Sequence, residues 1–178
     1  MAGDDIELRP AAAGDFDRIA AIYAHHVRFG LGSFEEEPPA AAELIERHRA
    51  IVARSLPYLV AMREGHILGY SYAGPYRPRS AYRYTVEDSV YLAPEAARQG
   101  IGRRLLTSII ESCTALGYRQ MIAMIGDSAN AGSIGLHRTL GFRVIGTIEG
   151  CGFKLGRWVD SVAMQRRLGP GTDTLPDR

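Results

Sequence analysis

The chain has 178 residues, of which 46% are hydrophobic and 8% are aromatic. That length and composition are typical of one globular domain with a full hydrophobic core. The 21 Lys and Arg residues against 20 Asp and Glu residues give a net charge of +1. No overall charge therefore favours nucleic acid or an anionic membrane surface, and we expect small-molecule partners.

The first residues, Met1 to Asp5, lack the basic and apolar regions of a signal peptide. No apolar run approaches the ~20 residues that a membrane span needs, so we expect a cytoplasmic protein without a membrane partner. Cys113 and Cys151 are too few for a disulfide framework and are predicted to be free thiols. We predict no metal site, because the adjacent His25 and His26 diverge on a helix and no zinc motif is present.

Hydrophobic spacing predicts alternating helices and strands in the first half of the chain. Asp15 is the predicted N-cap of the first helix, and Gly30 and Gly32 are predicted to end that helix. The predicted elements are a strand at Ile6–Arg9, a helix from Asp15 through Val27, a helix at Ala40–Ala53, and strands at Tyr58–Met62, His66–Ala73 and Thr85–Leu92.

The second half continues the alternation, and Gly150 and Gly152 around Cys151 indicate a bend or bulge. Residues 169–178 contain two prolines and two glycines and are predicted to be flexible. The element order is typical of a mixed α/β domain with an antiparallel first half. The predicted elements are a helix that stops at Gly117, a strand at Gln120–Ile125, a helix at Asn130–Leu140, and strands at Phe142–Ile148 and Trp158–Met164.

The segment Arg98-Gln99-Gly100-Ile101-Gly102-Arg103 joins an apolar strand to an amphipathic helix. Glycines leave the backbone accessible, and the start of a helix presents unpaired N–H groups, so a diphosphate fits there. Leu105 stands where a dinucleotide-binding loop would have its third glycine, which argues against that motif. A P-loop is also disfavoured, because it would need Gly-Lys-Ser or Gly-Lys-Thr, and neither is present. The alternative interpretation is that this segment is a simple turn between a strand and a helix, without a ligand. The helix face predicted to be buried consists of Leu105, Leu106, Ile109, Ile110, Cys113 and Leu116.

The strand Tyr84–Leu92 with this glycine loop resembles motif A of the GCN5-related N-acetyltransferases (GNAT), whose loop holds the pyrophosphate of acetyl-CoA. Segments 73–87, 130–137 and 152–160 are similar to the phosphinothricin and methionine sulfoximine N-acetyltransferase branch. The likeness spans Ile6 to about Leu168. It implies a single-domain GNAT fold over residues 1–168, with a mixed, mostly antiparallel sheet flanked by helices, followed by the flexible tail 169–178.

The same resemblance implies a homodimer that moves the acetyl group of acetyl-CoA to the α-amine of a glutamate-like or methionine-like amino acid. Two departures stand out. Ala97 occupies the position where the family loop usually opens with Gln or Arg, which removes one phosphate contact. Leu155 and Val159 occupy positions where some relatives carry His, which implies an altered acceptor pocket.

Acetyl-CoA contacts follow from the resemblance and from the helix start. In the family a bulge near Val90 to Leu92 supplies backbone N–H groups for the oxyanion, and fixed dipoles of this kind need no reorganisation during reaction. Asn130 suits a helix cap, a contact to CoA, or both. The predicted acetyl-CoA residues are Val90, Tyr91, Leu92, Arg98, Gln99, Gly100, Ile101, Gly102, Arg103, Asn130 and Ser133.

Two residues are predicted to be catalytic. Glu87 lies in an otherwise apolar and aromatic strand, where a carboxylate can accept the ammonium proton of the acceptor; the alternative is an exposed glutamate on a polar face. His137 stands where many family members carry a tyrosine that faces the CoA sulfur, so it could protonate the thiolate. A hydrogen-bonded core histidine is the alternative.

Arg77 and Arg79 flank Pro78 just before this strand, in a loop that proline stiffens. Guanidinium groups pair with a carboxylate or phosphinate through two parallel bonds, so we expect the two arginines to hold an acidic acceptor. Phe34 and Tyr82 are predicted to wall the same pocket, although aromatic residues are common in cores. The alternative for the arginines is ordinary surface charge.

The predicted function is direct acetyl transfer in a ternary complex. One rival is a non-catalytic module that binds acyl-CoA, and the candidate set Glu87, Asn130 and His137 argues against it. A second rival is an acetyltransferase for polyamines or protein N-termini, which would favour an acidic pocket or an open groove over an arginine pair.

Overall fold

A computed structural model describes residues 6–176 of the chain. One seven-stranded sheet forms the centre, with the strand order β1-β2-β3-β4-β5-β7-β6. The strands are β1 (Glu7–Pro10), β2 (Tyr58–Arg63), β3 (His66–Pro75), β4 (Thr85–Leu92), β5 (Gln120–Gly126), β6 (Arg143–Lys154) and β7 (Arg157–Arg167). The helices are α1 (Phe16–Phe29), α2 (Ala41–Val52), α3 (Ile101–Ala115) and α4 (Ala131–Thr139). This order confirms the predicted mixed α/β fold.

All neighbouring strands are antiparallel except β4 and β5, which are parallel. The pairing of β4 with β5 covers only Thr85 to Glu87 on β4 and Gln120 to Ile122 on β5. Both strands continue beyond these pairs, so they separate and leave a gap, here called the wedge. A sheet that opens in its middle exposes backbone groups of both strands to a ligand.

Successive side chains of β4 project to opposite faces of the sheet. On one face Tyr91 packs against Tyr23 of α1, with ring centroids 5.0 Å apart. On the other face Leu92 lies close to Gly102 of α3. Glu87 therefore shares the α1 face with Tyr91, whereas Asp88 shares the α3 face with Leu92.

The core between α3 and the sheet is as predicted except at one position. Leu105, Leu106 and Cys113 are fully buried, whereas Leu116 is 49% exposed. The expectation for Leu116 was wrong because this residue is the C-cap, where the chain turns at Gly117 and leaves the side chain in solvent.

Asp15 stands at the start of α1, but its carboxylate does not cap that helix. It accepts hydrogen bonds from the Arg9 guanidinium at 2.6 and 2.8 Å and from the Ala12 N–H at 2.7 Å. The predicted N-cap position is therefore confirmed, but the carboxylate makes no capping bond to α1, since a 3-10 turn at Ala13–Asp15 precedes the helix and turns the carboxylate toward Arg9.

The last two strands are longer than predicted and form a hairpin that projects past the end of β5. Its turn is Leu155-Gly156, with φ of 50° and 75°, and two-residue turns with positive φ match the twist of paired strands. The pairing shifts between Ile148 and Gly152, which confirms the bulge predicted around Cys151.

Residues 169–174 form turns and bends. The Arg119 guanidinium donates to Thr174 Oγ1 at 2.9 Å and to the Leu175 carbonyl at 3.2 Å. The flexible tail stays a prediction, and its residues 177–178 lie outside the described residues. The N-terminal residues 1–5, on which the expected absence of a signal peptide rests, also lie outside them.

Candidate active site

A cavity of about 530 Å³ occupies the wedge and extends to the start of α3. This volume lies in the range of small-molecule sites. Ten of the predicted residues line the cavity: Val90, Tyr91, Leu92, Arg98, Gly100, Gly102, Arg103, Asn130, Ser133 and His137. Two predicted acetyl-CoA residues turn their side chains elsewhere. Ile101 is fully buried, and Gln99 accepts from Arg63 at 3.0 Å and donates to the Glu95 carbonyl at 2.7 Å.

The glycine loop adopts the backbone that an anion site needs. Gly100 is the N-cap of the 15-residue helix α3 and has a left-handed backbone with φ of 77°. Arg98 is also left-handed, with φ of 61°. A Cβ on Gly102 would lie 3.3 Å from Leu136 and 3.5 Å from Leu92, among side chains that line the cavity. The first N–H groups of α3 have no partner within the helix, and the two glycines carry no side chain that would keep a ligand from them.

The register between β3 and β4 shows which backbone groups face the wedge. Each residue of β4 keeps one partner on β3, so the bulge expected near Val90 is absent from this pairing. The Ala93 N–H donates to the Leu68 carbonyl at 2.8 Å. Because hydrogen-bonded pairs alternate along antiparallel strands, the Tyr91 N–H also points to β3. The N–H groups of Val90 and Leu92 therefore point into the wedge without a bulge.

Glu87 lies at the point where β4 and β5 separate. Its partner on β3 is Gly74, where an added Cβ would meet no atom within 4 Å, so the sheet face next to Glu87 is open at that position. Glu87 itself is not among the residues that line the cavity, which begins with its neighbour Asp88 on β4. The pKa of Glu87 is raised to about 7, mainly by burial and also by the charge of Asp88, while the charge of Arg77 opposes the shift. A carboxylate with a pKa near neutrality is suited to accept a proton.

Asp88 and His137 form a buried pair on the other face of the sheet. His137 Nε2 lies 2.9 Å from Asp88 Oδ2, and the two side chains are 3% and 1% exposed. His137 Nδ1 donates to the Ser133 carbonyl at 2.7 Å. Burial lowers the pKa of His137, but the hydrogen bond and charge of Asp88, together with the Ser133 carbonyl, overcome this and raise it.

Both ring nitrogens of His137 are thus engaged. Delivery of a proton from His137 to another group requires the bond to Asp88 to open. Asp88 Oδ1 is buried and has no hydrogen-bond partner within the described part of the chain. These bonds favour a role for His137 as a buried anchor that joins α4 to β4, rather than as a proton donor.

Asn130 performs the predicted capping role. Its side-chain oxygen accepts from the Ser133 N–H at 3.1 Å, which caps α4. Its amide nitrogen lies 3.4 Å from the Gly126 carbonyl at the end of β5. The start of α4 is therefore fixed at the rim of the cavity.

The predicted acceptor residues fall into two groups. Arg77 lies 5.1 Å from the Tyr76 ring centre and 5.8 Å from the Tyr82 ring centre, and its charge acts on Glu87. Arg79 is exposed in the same loop. Phe34 lies elsewhere, in the loop between α1 and α2, where it contacts the positions of Gly126 and Gly152. The two groups do not touch each other in the contacts described.

The model of the "Acetyltransferase (GNAT) family" matches residues 19–142. The chain belongs to the GNAT family. It is 54% identical over 170 residues to a phosphinothricin N-acetyltransferase of Alcaligenes faecalis, which covers 96% of this chain and 86% of that protein. The relationship covers nearly the whole described domain, including the wedge and the glycine loop.

Two further relatives agree with the predicted branch. An L-methionine sulfoximine/L-methionine sulfone acetyltransferase of Pseudomonas paraeruginosa is 39% identical over 164 residues, with 92% of this chain and 95% of that protein covered. A crystal structure of a GNAT superfamily phosphinothricin acetyltransferase from Sinorhizobium meliloti, in complex with acetyl-CoA, superposes with a TM-score of 0.94. It is 48% identical and covers 97% of this chain and 94% of its own. These matches confirm the expected GNAT fold.

The sequence interpretation missed two residues of this GNAT site. Asp88 was overlooked, although it follows Val86 on the buried face of a strand, where a charged residue signals a partner. His26 was considered only as a metal ligand, yet its Nε2 donates to the Leu92 carbonyl at 2.7 Å at the edge of the cavity. Among residues 6–176, no group of three or more His, Cys, Asp or Glu side chains stands close enough to hold a metal.

No helix within the described residues is both long and apolar enough to cross a membrane.

Proposed function

We propose that the protein transfers the acetyl group of acetyl-CoA to the α-amine of a small amino acid of the phosphinothricin, methionine sulfoximine or methionine sulfone type. Transfer occurs by direct attack in a ternary complex. The observation that carries this proposal is the position of Glu87, whose pKa is raised to about 7 and which is the last residue of β4 paired with β5 before the two strands separate. A cytoplasmic location is part of the proposal.

Acetyl-CoA enters the wedge with its pyrophosphate on the N–H groups around Gly100 to Arg103. Arg98 and Arg103 line the same end of the cavity and add positive charge. The thioester then lies along β4, where the N–H groups of Val90 and Leu92 reach its carbonyl oxygen. These N–H groups stabilise the oxyanion as it forms, since they are fixed by the pairing of β4 with β3.

The amine of the acceptor reaches the thioester from the α1 face. Glu87 accepts a proton from the ammonium group, directly or through a water, and the free amine attacks the carbonyl carbon. The C–S bond breaks as the carbonyl re-forms. The thiolate then takes a proton, and the protonated nitrogen of the tetrahedral intermediate is one available source.

His137 has two candidate roles in this reaction, a proton donor to the thiolate or an anchor for α4. Its bonds to Asp88 and Ser133 support the anchor, because neither ring nitrogen is left free for sulfur. As an anchor it holds Ser133 and the start of α4 against the wedge.

Arg77 and Arg79 bind the acidic end of the acceptor. Support for the role of Arg77 is that its charge acts on Glu87, the proposed base. Arg79 is two residues further along and exposed. Two arginines in the loop before β4 disfavour a polyamine, which is the rival cationic substrate.

The protein acts as a homodimer. The β6–β7 hairpin presents large apolar side chains to solvent, and exposed apolar patches of this kind mark contact sites. Ile148 is 53% exposed, Phe153 is 56% exposed and Trp158 is 70% exposed. Strand β6 also forms an edge of the sheet, where a second copy can pair.

An acceptor screen tests the proposed function. The protein is incubated with acetyl-CoA and each of L-phosphinothricin, L-methionine sulfoximine, L-methionine sulfone, spermidine and a short peptide, and released thiol and N-acetyl product are measured. We expect at least one of the three amino acids to be acetylated. One molecule of N-acetyl product should form for each thiol released. Binding of acetyl-CoA without any turnover would support a non-catalytic module, and preference for spermidine or the peptide would support the other rival.

A further inference from the structure

The loop between α1 and α2 is held by the β6–β7 hairpin through a buried lysine. Lys154 is 3% exposed, and its Nζ donates to the Ser33 carbonyl at 2.6 Å. The hydroxyl of Ser33 lies 2.8 Å from the hydroxyl of Tyr23 on α1. Ser33 is thus fixed from two sides, through its backbone and through its side chain.

The residue after Phe34 is fixed as well. Glu35 accepts from the Tyr23 hydroxyl at 2.9 Å and from Arg47 of α2 at 2.6 Å. Phe34 therefore stands between two anchored neighbours, Ser33 and Glu35, although its own side chain is 43% exposed. Its position is determined by its neighbours rather than by burial.

The ring of Phe34 rests on two glycines from different strands. A Cβ at Gly152 of β6 would lie 2.6 Å from the ring, and a Cβ at Gly126 of β5 would lie 3.0 Å from it. Gly126 also lines the acetyl-CoA cavity. The ring thus covers the α1 side of the wedge at the end of β5, on the face that carries Glu87.

The two faces of the hairpin have different environments. Gly152 and Lys154 are two residues apart and face the loop, and Val159, the partner of Gly152, is 1% exposed. Phe153 and Trp158 are on the opposite face, with ring centroids 5.2 Å apart, and both are exposed. The inward face thus holds the loop, while the outward face is open.

We propose that Lys154 is a positioning residue for acceptor binding: by holding Ser33 it fixes Phe34 as the wall of the acceptor pocket. The β6–β7 hairpin therefore determines how well an amino acid binds, although it supplies no reacting group. This inference rests on the proposed acetyl transfer to an amino acid and names the part of the chain that selects the acceptor.

The first test measures the loop without reference to activity. Glu36 is exposed in this loop, so a glutamyl endopeptidase that cuts after it reports how often the loop opens. Lys154→Met keeps the length of the side chain and removes the ammonium group. Cleavage after Glu36, followed by mass spectrometry, should become about tenfold faster in this variant, because a charge-assisted bond to a carbonyl is lost.

The matched control is Arg157→Met. Arg157 is the partner of Lys154 across the same hairpin, but its guanidinium is exposed and contacts Asp127 at 3.3 Å. The control removes one positive charge from the hairpin without touching Ser33. Its cleavage rate should equal that of the wild type.

The second test compares the KM for the amino-acid acceptor with the KM for acetyl-CoA. Lys154→Met should raise KM for the amino-acid acceptor about tenfold and KM for acetyl-CoA less than threefold, since acetyl-CoA binds mainly through the loop at Gly100 and through β4. Arg157→Met should change neither. Unchanged cleavage, unchanged acceptor KM, or an equal rise in both KM values in folded Lys154→Met would overturn the proposal.

A second variant and the activity of the wild type cover the cases in which Lys154→Met cannot be compared. If Lys154→Met does not fold, Tyr23→Phe removes the hydroxyl that contacts Ser33 and Glu35 without leaving a buried charge, and it should give the same two changes. If the wild type acetylates no amino acid, the proposed function fails, whereas the cleavage arm still decides whether Lys154 holds the loop.

Discussion

Glu87 and Asp88 are adjacent on β4 but project to opposite faces of the sheet. Glu87 borders open space on the α1 face, while Asp88 is buried on the α3 face with His137 Nε2 at 2.9 Å. The charge of Asp88 is one of the causes that raise the pKa of Glu87 to about 7, after burial itself. The buried pair and the proposed base are therefore coupled through one strand.

Asp88→Asn should move the pH dependence of the reaction. Loss of the Asp88 charge removes one cause of the raised pKa of Glu87, so Glu87 ionises at lower pH. The acidic limb of the kcat pH profile should therefore shift to lower pH, and the variant should keep its activity because Glu87 is still present. An unshifted limb would mean that the charge of Asp88 does not influence the ionisation of Glu87.

The same substitution should destabilise the protein in a pH-dependent way. Since the pKa of His137 is raised in the folded state, the pair contributes stability that is fully present below pH ~6.5, the ordinary histidine value, and that is lost as pH rises through the raised pKa. Chemical unfolding at pH 6 should show a loss of about 3 kcal/mol for Asp88→Asn, the range for a broken buried pair. At a pH above the raised pKa of His137, the same substitution should reduce the free energy of unfolding by less.

Gly102→Val should weaken acetyl-CoA binding. The first atom of the new side chain would lie 3.3 Å from Leu136 and 3.5 Å from Leu92, which brings a branched group into the cavity where the phosphates approach. Calorimetry should show affinity reduced by about tenfold or more, since 1.4 kcal/mol corresponds to a factor of ten. Wild-type affinity in a folded variant would exclude this loop as the pyrophosphate site.

Arg79→Ala and Arg77→Ala should weaken acceptor binding. Loss of one charge-assisted pair should cost about 1.5–3 kcal/mol in kcat/KM for an acidic acceptor, mainly through KM, because the ground state and the transition state use the contact alike. Acetyl-CoA affinity should be unchanged. If the acceptor KM stays at the wild-type value, or if acetyl-CoA affinity falls instead, these arginines do not select the acceptor.

Trp158→Glu should separate the proposed dimer. Trp158 is 70% exposed beside Phe153 on the outward face of the hairpin, and a carboxylate buried between two copies lacks a partner. Light scattering at micromolar concentration should give twice the 19.5 kDa chain mass for the wild type and a lower mass for the variant. A wild-type mass of 19.5 kDa would contradict the dimer directly.

The elements with strong local signals could be predicted from the sequence. The glycine loop before α3, the amphipathic pattern of that helix and the glutamate in an apolar strand all lie within about 30 residues, and each follows from local rules of periodicity and capping. The bulge at Gly152 was predicted for the same reason, because glycines on both sides of Cys151 mark it.

The contacts that join distant segments could not be predicted in the same way. Asp88 and His137 are 49 residues apart, and Ser33 and Lys154 are 121 residues apart. Each pair depends on how helices and the hairpin pack on the sheet, and that packing leaves no mark in the local sequence. The separation of β4 from β5 was likewise not predicted, since the sequence pattern of each strand indicates only a complete strand.

The most direct test of the central claim is the pH dependence of kcat in Glu87→Gln, measured with a saturating acceptor and acetyl-CoA. The amide keeps the shape of the side chain but cannot accept a proton, so kcat near pH 7 should fall roughly 10²–10⁴-fold, the usual effect of a positioned base. Acetyl-CoA affinity should persist. In the wild type kcat should rise with pH through about 7 as Glu87 ionises. The variant's deficit should shrink at high pH, where the free amine is abundant. A deficit of equal size at every pH, or wild-type kcat at pH 7, would contradict the assignment of Glu87 as the base.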